Sequence, residues 1–343
     1  MASAAPFRIV FAGTPGAAVP SLRALHAAGV DIAAVVTRPD APLGRKRVLT
    51  PSPVAQAAED LGLDVIKAAT LDAAVTERLA ALQPDLGVIV AYGGLVREPL
   101  LSTPARGWIN LHFSLLPRWR GAAPVQRALI AGDAQLGTAV FQLVPALDAG
   151  DVFSIVPDGP SAGMTAGDAL AHLAGTGAAQ LVGVVGAIAA GTATAVPQQG
   201  EATTAAKLTI EDGRLDWTES ADAILARYRG VTPEPGAHTT LDGERFKILA
   251  LTHPSTSPST SSGQATGQAT GQATGQATGQ ATGQATGTDG ALAPGEVAQI
   301  KGGVLVGTGS EPLLLTRAQP AGKPPMDADA WLRGRRDETR LGS

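Results

Sequence analysis

In the first half of the chain, short β-branched apolar runs alternate with segments of helical period, and this alternation limits the fold more than any other feature. Residues 7–13 (FRIVFAG), 32–37, 65–67, 86–91, 107–111, 138–144 and 151–156 read as strands, with helices at 17–28, 51–61, 71–82 and 123–131. Strands that alternate with helices predict a Rossmann-like α/β fold, a mostly parallel sheet with helices on both faces. Several strands are apolar without a break, as burial on both sides requires. Residues 165–190 read as helix, with glycines inside that weaken the signal for one unbroken helix. Residues 191–206, rich in Thr, Ala, Gln and Gly, read as a linker. Beyond them, short segments at 245–249, 295–300, 304–306 and 313–317, separated by Gly and Pro turns, have the rhythm of a small β-barrel. The expected organisation is an α/β domain over 1–190, a linker over 191–206 and a β-barrel domain over 207–343.

The barrel sequence is interrupted at about 255–289. Six tandem GQAT units fill 263–286 after a Ser/Thr/Pro run. Such a segment cannot bury a core, so it is expected to be a disordered insertion. A barrel tolerates it because loop-closure entropy grows slowly with length. Elsewhere the material for a core is present. Hydrophobic residues make up 44% of the 343, while aromatics at 3% leave the packing to Leu, Val, Ile and Ala. There is no cysteine, which removes disulfides, thiolate metal sites and a cysteine nucleophile. The formal net charge of −4 has the wrong sign for a chain that coats nucleic acid nonspecifically, so any such contact needs a local basic patch. No basic region precedes a long apolar run at the start, so no leader is expected. The most apolar run, 181–190, is far short of the ~20 residues a membrane span needs. A cytoplasmic protein without a membrane partner is expected.

Residues able to do chemistry gather at strand ends. Asn110 and His112 are two apart on one strand and share a face. They lie at its carboxyl end, where open α/β sheets bind ligands. Asparagine offers a neutral donor, and histidine donates or moves a proton near neutral pH. Asp148, in the loop 147–151, is by itself an ordinary turn former, yet a strand-end loop of the same sheet can bring it beside His112. Three such groups could hold a carbonyl oxygen as it becomes an oxyanion and could also move protons. No nucleophile is implied, so direct transfer to an incoming amine fits. Two loops are basic: 37–47 carries Arg38, Arg45, Lys46 and Arg47 against Asp40, and 116–121 carries Arg118 and Arg120 around Trp119. Arginine beside an aromatic pairs phosphate and stacks on bases, which points to a polyanionic substrate. The turn at 13–16 is neither a dinucleotide fingerprint nor a P-loop and reads as a tight strand–helix turn. His26, His112, His172, His238 and His253 lack ligand spacing, so no metal is expected.

Several motifs resemble the folate-dependent formyltransferases. They are FAGTP at 11–15, TRPDAPLGRKR at 37–47, TPSPV at 50–54, VAYG at 90–93, NLHFSLLPRWRGAAPVQRAL at 110–129, LDAGD at 147–151, KLTIEDGRLDW at 207–217 and QPAGKPPM at 319–326. The resemblance covers nearly the whole chain outside the GQAT insertion. It implies a Rossmann-like catalytic domain, an OB-type β-barrel domain, and transfer of formyl from 10-formyltetrahydrofolate to an amine. Within the family, the basic loop and second domain point to methionine carried on initiator tRNA. An amino sugar nucleotide or glycinamide ribonucleotide is the alternative acceptor, and it would have no use for Arg45–Arg47. Carried over by the resemblance, Asn110, His112 and Asp148 are catalytic, with a protonated His112 on the oxyanion. Ser114, Leu115, Leu116 and Pro117 line the folate site. Residues 37–49 form a mobile tRNA-reading loop, with Arg38, Arg45, Lys46 and Arg47 as its contacts. A monomer working without metal is implied. The chain departs from the family at Phe113, where a smaller residue is usual, and at Gly94, a second glycine after Tyr92.

Overall fold

The computed structural model describes residues 6–44, 47–160, 163–254, 292–335 and 339–343; Arg45, Lys46 and the GQAT units lie outside the described residues. The chain divides into two compact units, Met1–Leu215 with Ala226–Ala237, and Asp216–Leu225 with His238–Ser343.

The first unit runs β1 (Arg8–Gly13), α1 (Val19–Ala27), β2 (Asp31–Thr37), β3 (Ala41–Leu43), β4 (Val48–Thr50), α2 (Pro53–Asp60), β5 (Val65–Lys67), α3 (Ala73–Ala81), β6 (Leu86–Val90), β7 (Trp108–His112), β8 (Arg120–Gly121), α4 (Pro124–Ile130), β9 (Gln135–Gln142), β10 (Val152–Pro160), α5 (Ala166–Ala189) and β11 (Thr204–Ala205). Seven strands form one sheet in the order β10-β9-β7-β6-β1-β2-β5. β5, β2, β1, β6 and β7 run parallel, and β9 and β10 add an antiparallel edge. Strand order reverses between β1 and β6, which opens a crevice at the carboxyl ends.

Alternation sorts the core. Ile9, Phe11, Val88, Val90, Ile109 and Leu111 pack with residues of α1, α2, α4 and α5, whereas Val10, Ala12, Ile89 and Trp108 pack with Leu79 of α3. Each central strand is therefore buried on both faces. Asn110 and His112 belong to the second face.

α5 is one unbroken helix of 24 residues, within the bounds expected and uninterrupted at its glycines. Thr165 and Asp168 form a capping box that satisfies first-turn donors. A Cβ on Gly177 would stand 3.1 Å from Leu111, so glycine lets this turn lie close on the sheet. α5 is also long and apolar enough to cross a bilayer, which the run 181–190 alone did not suggest. Here its buried face, including Leu173, Leu181 and Val185, serves the core.

The expected linker is part of this unit. Val196 bridges Val152, and β11 pairs in parallel with β8. Its polar groups find partners there: Thr203 Oγ1 accepts the Trp119 N–H at 2.9 Å. The basic loop is a β-hairpin, β3 against β4, with Leu43, Val48 and Leu49 exposed. Its base is fastened by a buried Thr37–Ser52 hydroxyl pair at 2.6 Å, and Ser52 caps α2. Phe113 is a core residue, and Gly94 is required because a Cβ there would meet the Tyr92 ring at 2.5 Å.

α6 (Ala221–Gly230) crosses the division between the units. The second unit then holds β12 (His238–Leu241), β13 (Glu244–Thr252), β14 (Val297–Ile300), β15 (Gly303–Val306), β16 (Leu313–Gln319), β17 (Met326–Asp327) and α7 (Ala328–Arg333). The strands form an antiparallel sheet, β12-β13-β16-β15-β14 with β17 on β16. Phe246 and Trp331 pack ring to ring at 4.6 Å under it.

Candidate active site

β7 delivers Asn110 and His112 to the sheet's carboxyl end. β6 supports Asn110 through Ile89, and β9 pairs Phe141 with Asn110 and Ala139 with His112. β9 leads into the loop that carries Asp148, and β10 returns the chain alongside. Asp148 Oδ2 comes within 3.9 Å of His112 Nδ1, with the side chains 11% and 6% exposed.

The loop is built to hold that carboxylate. Asp148 itself has φ +45, a left-handed backbone that aspartate adopts more readily than most residues. Its Oδ2 accepts the Gly121 N–H at 2.8 Å. Gly121 has φ +128, and a Cβ there would lie 2.7 Å from the Ala205 carbonyl oxygen. Gly150 passes so close to β9 that a Cβ would stand 1.8 Å from the Gln142 carbonyl oxygen. That contact accounts for the glycine of the Asp-Ala-Gly motif.

His112 Nε2 lies 2.9 Å from the Trp119 carbonyl oxygen. A carbonyl only accepts, so Nε2 carries a proton, and Nδ1 is the ring nitrogen that faces Asp148. Burial pushes the His112 pKa below its ordinary value, more than the Asp148 charge and the Trp119 carbonyl raise it. Burial thus favours the neutral form of the ring in the resting fold. The Asn110 Oδ1 is buried and has no hydrogen-bond partner among the described residues. An unsatisfied buried acceptor thus lies beside a histidine–carboxylate pair.

Two cavities are lined by expected folate residues. Ser114 and Leu115 line a cavity of about 270 Å³ with Phe113, Trp119 and Asp133, while Leu116 lines another of about 390 Å³ with Phe153 and Gln198. Pro117 offers its carbonyl to the Thr203 N–H at 3.3 Å. Of the expected tRNA contacts, Arg38 donates to the Ala69 carbonyl, and Arg47 sits at the hairpin turn with φ +50. Asp40 pairs with Lys67 at 2.7 Å. The second basic loop is mostly structural: Arg118 pairs with Asp133 at 2.8 Å, and Arg120 donates to Gln198 at 2.7 Å. Asp222, His253 and Glu311, scattered in sequence, meet as an exposed cluster in the second unit, with ligand atoms within 4.8 Å of one another. Sequence reasoning missed the Trp119 carbonyl, the Gly121 N–H and Gln198. Two of these are backbone groups, which carry no residue signature. The third sits in the stretch read as a linker.

The "Formyl transferase" family model matches residues 7–156, and "Formyl transferase, C-terminal domain" matches 207–336. A methionyl-tRNA formyltransferase of Leifsonia xyli subsp. xyli is 55% identical over 339 residues, 97% of this chain and 99% of the relative. One from Streptomyces coelicolor is 45% identical over 333 residues, 96% and 97% of the two chains. Among solved structures, the N-formyltransferase from Helicobacter canadensis has the same fold, with a TM-score of 0.62 at 13% identity over 92% of this chain and 100% of that one. These matches, spanning both units, show that the chain belongs to the formyl transferase family, among the methionyl-tRNA formyltransferases.

Proposed function

We propose that the chain moves a formyl group from 10-formyltetrahydrofolate to the free amine of methionine on initiator tRNA, working as a cytoplasmic monomer and without metal. The observation that carries this reading is the buried Asn110–His112–Asp148 group at the sheet's carboxyl end, with one amide oxygen unpartnered among the described residues. Asn110 holds the formyl oxygen as the amine nitrogen bonds to the formyl carbon and negative charge builds on that oxygen. Its second amide atom is placed to orient the attacking amine. His112 accepts the amine proton at Nδ1, directly or through one water, because Nε2 is committed to Trp119. Asp148, 3.9 Å away, stabilises the imidazolium that results. The bond from the formyl carbon to the folate nitrogen then breaks, and that nitrogen takes a proton as tetrahydrofolate leaves. Ser114, Leu115, Leu116 and Pro117 form the wall along which the folate lies. Arg38, Arg45, Lys46 and Arg47 of the segment 37–49 meet tRNA phosphate, which local charge permits despite the net charge of −4.

The test uses folate carrying an isotopically labelled formyl group with methionyl initiator tRNA. Label recovered as an amide on the methionine supports the reading. Label that stays on folate, or is released as free formate, overturns it.

A further inference from the structure

Gln198 stands outside every role above, yet all the hydrogen-bonding positions of its amide are aimed at the catalytic loop and the strand facing it. Its Oε1 accepts from Arg120 Nε at 3.1 Å and Arg120 Nη2 at 2.7 Å. Its Nε2 donates to the Asp148 carbonyl at 2.8 Å and to the Gly150 carbonyl at 2.9 Å. The partners fix the amide's direction. Guanidinium can only donate and backbone carbonyls can only accept, so a turned amide would oppose donor to donor and acceptor to acceptor.

The two carbonyls it holds flank the residue whose side chain faces His112. Asp148 is thus gripped twice: its carboxylate by the Gly121 N–H and its backbone by Gln198. Gly121 lies in β8 beside Arg120, so one short strand supplies both grips, one directly and one through Gln198. A non-glycine residue at φ +45 is costly unless its surroundings hold it there. The antiparallel bridge of Val196 to Val152, two residues before Gln198, anchors the segment that presents the amide.

We propose that Gln198 is a positioning residue for formyl transfer: it clamps the backbone of the Asp148 loop to β8 and so sets the distance between Asp148 and His112. The inference rests on Asn110, His112 and Asp148 carrying the reaction.

Gln198→Glu is the diagnostic change. A carboxylate of nearly the same size keeps and strengthens the contact with Arg120, so the segment stays anchored. It replaces the amide donor to the two carbonyls with an acceptor, so the hold on the loop is lost. Gln198→Ala removes both contacts, and Asp148→Asn in the same series reports on the reading beneath. For Gln198→Glu we expect kcat to fall about 10- to 100-fold, since ångström displacements of catalytic groups cost that much. KM for charged tRNA and Kd for folate should change less than threefold, and Tm should stay within about 2 °C. With Asp148 displaced, its charge supports the imidazolium less, so in Gln198→Ala, which adds no charge near His112, the acid limb of kcat should move to lower pH. An unchanged kcat, or a fall in kcat with the acid limb unmoved in Gln198→Ala, overturns the clamp. Wild-type turnover in Asp148→Asn overturns the reading beneath it instead.

Discussion

Replacing Gly150 by alanine leaves Asn110, His112 and Asp148 chemically untouched and tests whether their spacing matters. The added Cβ would stand 1.8 Å from the Gln142 carbonyl oxygen, whereas a carbon and an oxygen settle at about 3.3 Å. Something must give by roughly 1.5 Å. Gln142 is held in β9, paired with Ile109 of β7, and its N–H donates to Asp151 at 2.8 Å. The strand cannot yield without breaking the sheet, so the Asp148 loop moves. Overpacking of this kind costs about 1–3 kcal/mol of stability, a drop of several degrees in Tm for a unit of this size. The rate pays more: a displacement of about 1 Å at a catalytic group costs roughly 100-fold. The assay is formylation of methionyl initiator tRNA under saturating folate, with circular dichroism to confirm the fold. Gly183→Ala is the control, since that glycine lies exposed in α5 with nothing within 4 Å of a built Cβ. It should keep full activity and gain up to about 1 kcal/mol. A folded Gly150→Ala protein within threefold of the wild-type rate would refute the claim that this contact sets the site.

Asn110→Ala and His112→Ala are each expected to abolish transfer while folate binding, followed by fluorescence titration, survives; undiminished turnover in either removes that residue from the mechanism. Burial depresses His112 in the fold, so its neutral form contributes stability above pH 6.5 that is lost as pH falls towards the folded value. The acid limb of kcat/KM, which reports the free enzyme, should accordingly lie below pH 6.5, and a limb above it contradicts a neutral resting imidazole. Arg45→Ala and Arg47→Ala should each weaken use of charged tRNA and lower the slope of log K against log salt by about one; an identical slope means the hairpin never meets phosphate. Deleting residues 263–286 should leave activity and Tm nearly unchanged, and a large loss of either would make the GQAT units structural.

Much of the first unit was legible because burial on both faces leaves a mark on each strand. The unbroken apolar runs around Val10, Val35, Val88 and Ile109 are the inner strands of the sheet, and Val65–Lys67 matches its expected bounds. The site was legible in part, since Asn110 and His112 share a face by strand period alone. Asp148 reached them through a hairpin, β9-β10, whose return path residue types do not specify. What stayed hidden was held by backbone. β8 and β11 are two residues each and carry no periodic pattern, so Thr203, Gly121 and Gln198 looked like loop and linker. The glycines of α5 weakened its helical signal, and at Gly177 their cost in an isolated helix is offset by close packing on Leu111. The hairpin β3-β4 was read from its charges, which say nothing of pairing, while its exposed Leu43 and Leu49 resemble ordinary loop residues.

Acceptor choice tests the central claim most directly. Purified protein and 10-formyltetrahydrofolate would be offered methionyl initiator tRNA, an amino sugar nucleotide and glycinamide ribonucleotide in separate reactions, each scored for formyl amide. The account predicts transfer to the charged tRNA alone. Transfer only to a small amine would keep the Asn110–His112–Asp148 site but contradict the role given to the basic hairpin and the proposed function with it.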